Sequence, residues 1–129
     1  LNRPFNNPIK CNDTNPKVLR VLEKCIETAR LPHNLFDITQ KDALKVCPTT
    51  DKGVLVCNPP YGERLGEVEE LKKVYFNFGE HLKQNFKGFN AFILCGKQDL
   101  RKVIKLKTDR KLPLKNGNID CRLVTYSLF

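Results

Sequence analysis

A short apolar run meets two consecutive prolines between residues 53 and 61, and that junction narrows the folds open to the chain. Gly53-Val54-Leu55-Val56-Cys57 is rich in β-branched residues and follows Asp51-Lys52. It predicts a short strand buried on both faces, of the kind found inside a parallel sheet. Asn58-Pro59-Pro60-Tyr61 comes next. Proline donates no ladder hydrogen bond, so the strand has to stop there. Asn58 and Tyr61 are thereby set just past the carboxyl end of a central strand, the edge at which open α/β sheets bind ligands.

The rest of the chain alternates strand and helix in the same manner. Ile9 to Asn12 predicts a strand leading to Asp13. Thr14 or Asn15 can cap a helix whose first position suits Pro16. Val18, Leu19, Leu22, Cys25, Ile26 and Ala29 then recur on one helical face until Leu31-Pro32 ends it. Leu35 to Thr39 predicts another strand. Glu67 to Phe86 predicts a helix with Glu67, Glu69 and Glu70 in its first turn and Leu71, Val74, Tyr75, Phe78, Leu82 and Phe86 as its core stripe. Phe89 to Gly96 reads as a buried strand and Gln98 to Lys105 as a short helix. Asn116-Gly117 suits a tight hairpin turn before a closing strand over 119–128.

Composition removes several classes. A chain of 129 residues, 40% hydrophobic and 29% charged, makes one globular domain with a modest core. No apolar run is long enough to span a bilayer and no signal-peptide pattern is present. The six cysteines form no Cys-x-x-Cys pair, which favours buried free thiols in a reducing cytoplasm over a disulfide scaffold or a zinc site. His33 and His81 stand alone, so no metal role is expected. Six of the nine net positive charges fall in residues 97–115, which hold Lys97, Arg101, Lys102, Lys105, Lys107, Arg110, Lys111 and Lys115 against Asp99 and Asp109. Such density suits a phosphate backbone or, equally, a solvated surface.

The Asn58–Tyr61 turn suits one chemical task. The exocyclic amino group of a base is a weak nucleophile because its lone pair is delocalised into the ring. Two acceptors aimed at its protons draw that pair back toward nitrogen. The Asn58 side-chain oxygen can be one, and the Pro59 carbonyl, whose direction a Pro-Pro turn fixes, the other. Tyr61 offers a flat face to a flipped-out base. The plainer alternative is a proline turn with Tyr61 as packing. The run Asn58-Pro59-Pro60-Tyr61 resembles the amino-methyltransferase signature of class I S-adenosylmethionine-dependent enzymes. With Gly62-Glu63-Arg64-Leu65 it is similar, more narrowly, to the RNA guanine-N2 methyltransferases that carry a THUMP domain, the large-subunit ribosomal RNA enzymes above all. Relatives are often labelled adenine-specific DNA methylases through the shared tetrapeptide.

That resemblance implies an α/β, Rossmann-like class I methyltransferase fold with a C-terminal antiparallel β-hairpin. It implies methyl transfer from S-adenosylmethionine to the N2 amino group of guanine in large-subunit ribosomal RNA, in the cytoplasm. Asn58, Pro59, Pro60 and Tyr61 would be catalytic. Asp13 would bind the cofactor's ribose, Asp42 its adenine amino group, Ala43 would pack near the ring and Asn58 would border the cofactor. Read without the resemblance, Asp13 serves as well as a cap or turn residue, and Asp42 as a surface turn. Tyr61, Arg64, Arg101, Lys102 and Lys105 would meet RNA, with Glu63 shaping the target pocket. Adenine methylation of DNA is one rival, and a non-catalytic RNA-binding module with a degenerate fold is the other.

The resemblance starts at the family's second strand. The first strand and its Gly-x-Gly loop have no counterpart, since the seven glycines, at 53, 62, 66, 79, 88, 96 and 117, include no pair separated by one residue. The chain is therefore expected to be the C-terminal part of one catalytic domain, spanning 1–129, and a poor methyltransferase alone. Residues 9–12 and 53–57 would present unpaired strand edges. The missing strand would come from another polypeptide segment, from a longer parent, or from a swapped homodimer.

Overall fold

A computed structural model describes residues 7–61 and 66–129. They form two compact units, Leu1–Val46 and Cys47–Phe129. In the first, strand β1 (Ile9–Asn12) pairs in parallel with β2 (Phe36–Thr39), Asn12 opposite Thr39. Helix α1 (Pro16–Thr28) connects them. Asn15 is the residue that caps it, its side-chain oxygen accepting from the Lys17 N–H with Pro16 just inside. The expected apolar face of α1 has the right period but is poorly covered. Ile26 is buried, Leu19 and Leu22 are half-buried, and Val18, Cys25 and Ala29 are exposed. A unit this small has little surface of its own to lay against such a face.

The second unit is built on a four-stranded sheet in the order β3-β4-β6-β5. Strand β3 (Gly53–Cys57) runs parallel to β4 (Phe89–Cys95), joined to it by helix α2 (Glu67–Asn85). Helix α3 (Gln98–Val103) leads to β5 (Thr108–Asn116), which turns back as β6 (Ile119–Ser127) to pair antiparallel with both β5 and β4. This is the expected α/β architecture with its C-terminal hairpin. Pro113 lies in β5, at the end of the strand order, where a missing N–H is tolerated. The turn sits one residue later than expected. Asn116 still pairs within the ladder, opposite Ile119, and the two-residue loop is Gly117-Asn118. Gly117 has φ 61, and glycine at the first loop position is the type II′ arrangement.

The core of this unit is drawn from α2, α3, β4, β6 and their flanks: Tyr75, Leu82, Phe86, Ile93, Leu100, Val124 and Tyr126 among its larger members. Phe86 and Phe89 meet edge to face at 5.3 Å. The α2 stripe is corrected at one position. Residues 71, 75, 78, 82 and 86 face inward, but Val74, a turn-fraction to the side of Tyr75, is 50% exposed. Strand β3 is corrected more sharply. Leu55 and Cys57 are half-buried, whereas Val54 and Val56 are 65% and 75% exposed. An unbroken apolar run does not by itself distinguish a one-faced strand from a two-faced one, and in this unit β3 is an edge strand covered on one face.

None of the six cysteines is in a disulfide, but only Cys95 and Cys121 are buried, and Cys25 and Cys47 are exposed. Burial pushes the Cys95 thiol up to about 11, against the opposing charge of Arg101. Among the described residues no helix is long and apolar enough to cross a membrane.

Candidate active site

The first unit places two acids after adjacent parallel strands. Asp13 follows β1, and its Oδ1 accepts from the Asn15 N–H at 2.8 Å. Asp42 follows β2 and caps a 3-10 turn over Ala43–Lys45, its Oδ1 accepting from the Leu44 N–H at 2.9 Å. The local turn role and a ligand role coexist here, because each backbone bond uses one carboxylate oxygen and leaves the other. Asn12, passed over in the sequence, ties this edge together. Its Oδ1 accepts from the Lys41 N–H at 3.0 Å and from the Thr39 hydroxyl at 2.9 Å, and its Nδ2 donates to the Lys41 carbonyl. It thus holds the backbone that leads into Asp42. A carboxylate beyond the carboxyl end of a parallel strand is a group that accepts from ribose hydroxyls in dinucleotide-binding α/β folds. The acceptors of this edge fit the hydroxyl and amino donors of a nucleoside, with Ala43 exposed beside Asp42.

The second unit carries the proline turn. Asn58 is exposed and Tyr61 half-buried, immediately after β3. The Tyr61 hydroxyl donates to Asn58 Oδ1 at 2.5 Å. The same hydroxyl accepts from Asn116 Nδ2 at 3.1 Å, a contact 55 residues distant in sequence. Burial raises the Tyr61 phenol above its ordinary range, and the Asn116 hydrogen bond opposes that rise. The ring lies against Gly96, just beyond β4, where a Cβ would come within 2.7 Å of Tyr61 Cγ. The turn is also held from α2. Tyr75, only 2% exposed, donates its hydroxyl to the Pro60 carbonyl at 2.7 Å. Burial keeps that phenol protonated far above its usual range, so it remains a donor. Pro59, whose carbonyl is the second expected acceptor, sits half-buried between the two anchored residues.

Tyr75, Gly96 and Asn116 in this unit, with Asn12 in the first, are therefore the residues that sequence reasoning missed. Tyr75 reads as stripe core, and it is core, with a hydroxyl that reaches further. Glu63 and Arg64 lie outside the described residues.

The basic stretch is spread over several elements. Lys102 and Lys105 are exposed. Arg101 is half-buried, and its charge opposes the burial-driven rise of the Cys95 thiol and the Tyr126 phenol. Lys105 helps line an open groove of about 410 Å³ with Lys72, Lys73, Phe76, Asn77 and Val103. Arg110, Lys111 and Lys115 are exposed on β5.

A parallel strand ending in Asn-Pro-Pro-Tyr and a C-terminal antiparallel hairpin are the features expected from the resemblance to the α/β methyltransferases, and the structural likenesses show that fold. The chain belongs to the RMKL-like, methyltransferase domain family, whose profile it matches over residues 2–125. It is 35% identical over 117 residues to the ribosomal RNA large subunit methyltransferase K/L of Shewanella frigidimarina (strain NCIMB 400), which covers 91% of this chain and 16% of that protein. Among solved structures it is similar to SMU.472 complexed with SAH, with TM-score 0.83 and 26% identity over 94% of this chain and 32% of the other. A possible methylase from Clostridium difficile 630 shares the fold with TM-score 0.87, 21% identity, and coverage of 98% and 33%. The chain thus spans about a sixth of that curated relative and about a third of those structures.

Proposed function

We propose that this chain carries the target-amine site of an S-adenosylmethionine-dependent RNA methyltransferase acting on the N2 amino group of guanine in large-subunit ribosomal RNA. The observation that carries the reading is the anchored Asn58–Tyr61 turn at the carboxyl end of β3. Family membership and the SAH bound to SMU.472 support the cofactor, and the name of the Shewanella relative supports the RNA. S-adenosylmethionine supplies an electrophilic methyl group on a sulfonium. The chain's own residues handle the amine. Asn58 Oδ1 and the Pro59 carbonyl accept hydrogen bonds from its two N–H groups and return its lone pair to nitrogen, and Tyr61 stacks the base. The methyl leaves the sulfonium as the new bond forms, S-adenosylhomocysteine departs, and the methylated nitrogen gives up one proton to solvent. Asp13 and Asp42 hold the ribose and adenine of the cofactor, with Ala43 against the ring. Pro60 contributes rigidity, and its carbonyl is committed to Tyr75. Positioning and acceptor placement carry the catalysis, and no dedicated base is required. Lys102, Lys105 and Arg101 contact phosphates, and Arg64 borders the target base. The remainder of the fold, strand and glycine loop, comes from sequence outside these residues or from a second copy.

The test uses the full-length polypeptide with methyl-labelled cofactor and large-subunit ribosomal RNA from cells lacking it. After digestion, label is expected in N2-methylguanosine, and replacing the target guanosine by inosine, which has no N2 amino group, should remove it. Label in N6-methyladenosine, or none at all with cofactor bound, would refute the reading.

Tyr75 gives a second test in the same assay. Tyr75→Phe removes one neutral hydrogen bond and leaves the packing, so methyl transfer should slow about fivefold with little change in KM for the cofactor. An unchanged rate would mean that the turn keeps its shape without α2.

A further inference from the structure

We infer that Asn116 is a positioning residue for Asn58, acting through the Tyr61 hydroxyl. This rests on the reading of Asn58 as the amine acceptor and adds a residue to it. A phenol has one hydrogen and two lone pairs. Asn116 Nδ2 donates to the Tyr61 oxygen at 3.1 Å and takes up a lone pair, so the hydroxyl hydrogen is left to Asn58 Oδ1, 2.5 Å away. The relay has a direction, from Asn116 to Tyr61 to Asn58. Its end effect is on the Asn58 amide, whose oxygen and nitrogen ends have the same shape and differ only in what they bond. A donor fixed at Oδ1 holds the oxygen in place, and Oδ1 keeps a second lone pair for an incoming amino proton. Linked hydrogen bonds also polarise one another in the same sense.

The fold supplies Asn116 at the right place for a physical reason. The type II′ turn is made by Gly117-Asn118, so Asn116 stays in the β5 ladder opposite Ile119 and is not free to move with the loop. Gly96 takes the Tyr61 ring from β4, and Tyr75 holds the preceding carbonyl. The hydroxyl is thus brought to a fixed point between two amides from opposite ends of the unit's sequence.

Asn116→Asp tests the direction of the relay. The two side chains have the same shape, but a carboxylate only accepts. The Tyr61 hydroxyl then turns to residue 116 and releases Asn58. In the full-length polypeptide, kcat should fall about tenfold with KM for S-adenosylmethionine unchanged. With Tyr61→Phe as the background, the same Asn116→Asp change should cost less than about twofold, because the link is already cut. The inference is overturned if Asn116→Asp alone stays within about twofold of wild type. It is equally overturned if the tenfold loss persists with Tyr61→Phe, which would assign the loss to the new charge. Asn58→Ala run alongside separates the two failures. An active Asn58→Ala protein refutes the acceptor reading itself, whereas an inactive one beside an unimpaired Asn116→Asp refutes only the relay.

Discussion

Asn58→Ala should reduce methyl transfer by the full-length polypeptide about 10²- to 10³-fold in kcat, with the affinity for S-adenosylmethionine changed by less than about threefold. The amine is neutral before reaction and becomes cationic as the new bond forms, so an acceptor on its protons is worth more in the transition state than in the bound state. Losing such a group lowers kcat and leaves KM nearly alone. Preorganisation sets the size of the effect. Asn58 Oδ1 already receives the Tyr61 hydroxyl, and the following turn is held by Tyr75, so little reorganisation is needed when the base arrives. Asn58→Asp keeps an oxygen at the same position and should fall between Ala and wild type. Single-turnover rates together with calorimetric cofactor binding check both. If Asn58→Ala turns over at the wild-type rate, Asn58 is a turn residue and the chemistry lies elsewhere.

The sequence carried the frame of this site and left out most of its braces. Strand β3 and the break after it were legible because a β-branched run and two prolines act locally, through backbone geometry. Helix α1's cap and the hairpin were legible for the same reason. What could not be read depends on groups distant in sequence. The Tyr75–Pro60 bond spans 15 residues and the Asn116–Tyr61 bond spans 55. Neither leaves a period or a spacing behind. Asn116 was in addition disguised by its own neighbour, since Asn-Gly signals a turn and the chain turns one residue later. Val54 and Val56 show the complementary error, where a composition that fits a two-faced strand occurs in one covered on a single face. For Asp13 and Asp42 the sequence posed a local turn or cap and a ligand role as alternatives, and the backbone bonds establish a turn at Asp13 and a cap at Asp42 without using up the second carboxylate oxygen.

Gly88→Ala should be the most destabilising of these substitutions, although it touches no part of the amine site. Gly88 lies between α2 and β4 at φ 90, outside the range that side chains accept without strain. Its N–H donates to the Leu128 carbonyl at 2.7 Å, and the Leu128 N–H donates to the Phe89 carbonyl at 2.9 Å, so the backbone is held on both sides. A Cβ here would run into the carbonyl oxygen of Asp51, a backbone atom at the entrance to β3 with no rotamer by which to withdraw. The strain of the positive φ costs about 1–2 kcal/mol and the overlap about 1–3 more. For a unit of this size the thermal midpoint should drop by about 10 °C or more. Gly117→Ala is the internal control. It too has a positive φ, 61, but a Cβ would meet nothing within 4 Å. It should therefore show only the backbone strain, about 1–2 kcal/mol and a correspondingly smaller drop. Melting curves of the two variants side by side separate strain from collision. Equal midpoints would mean that β3 can shift away from Gly88, and that the entrance to the strand bearing Asn58 is softer than its hydrogen bonds suggest.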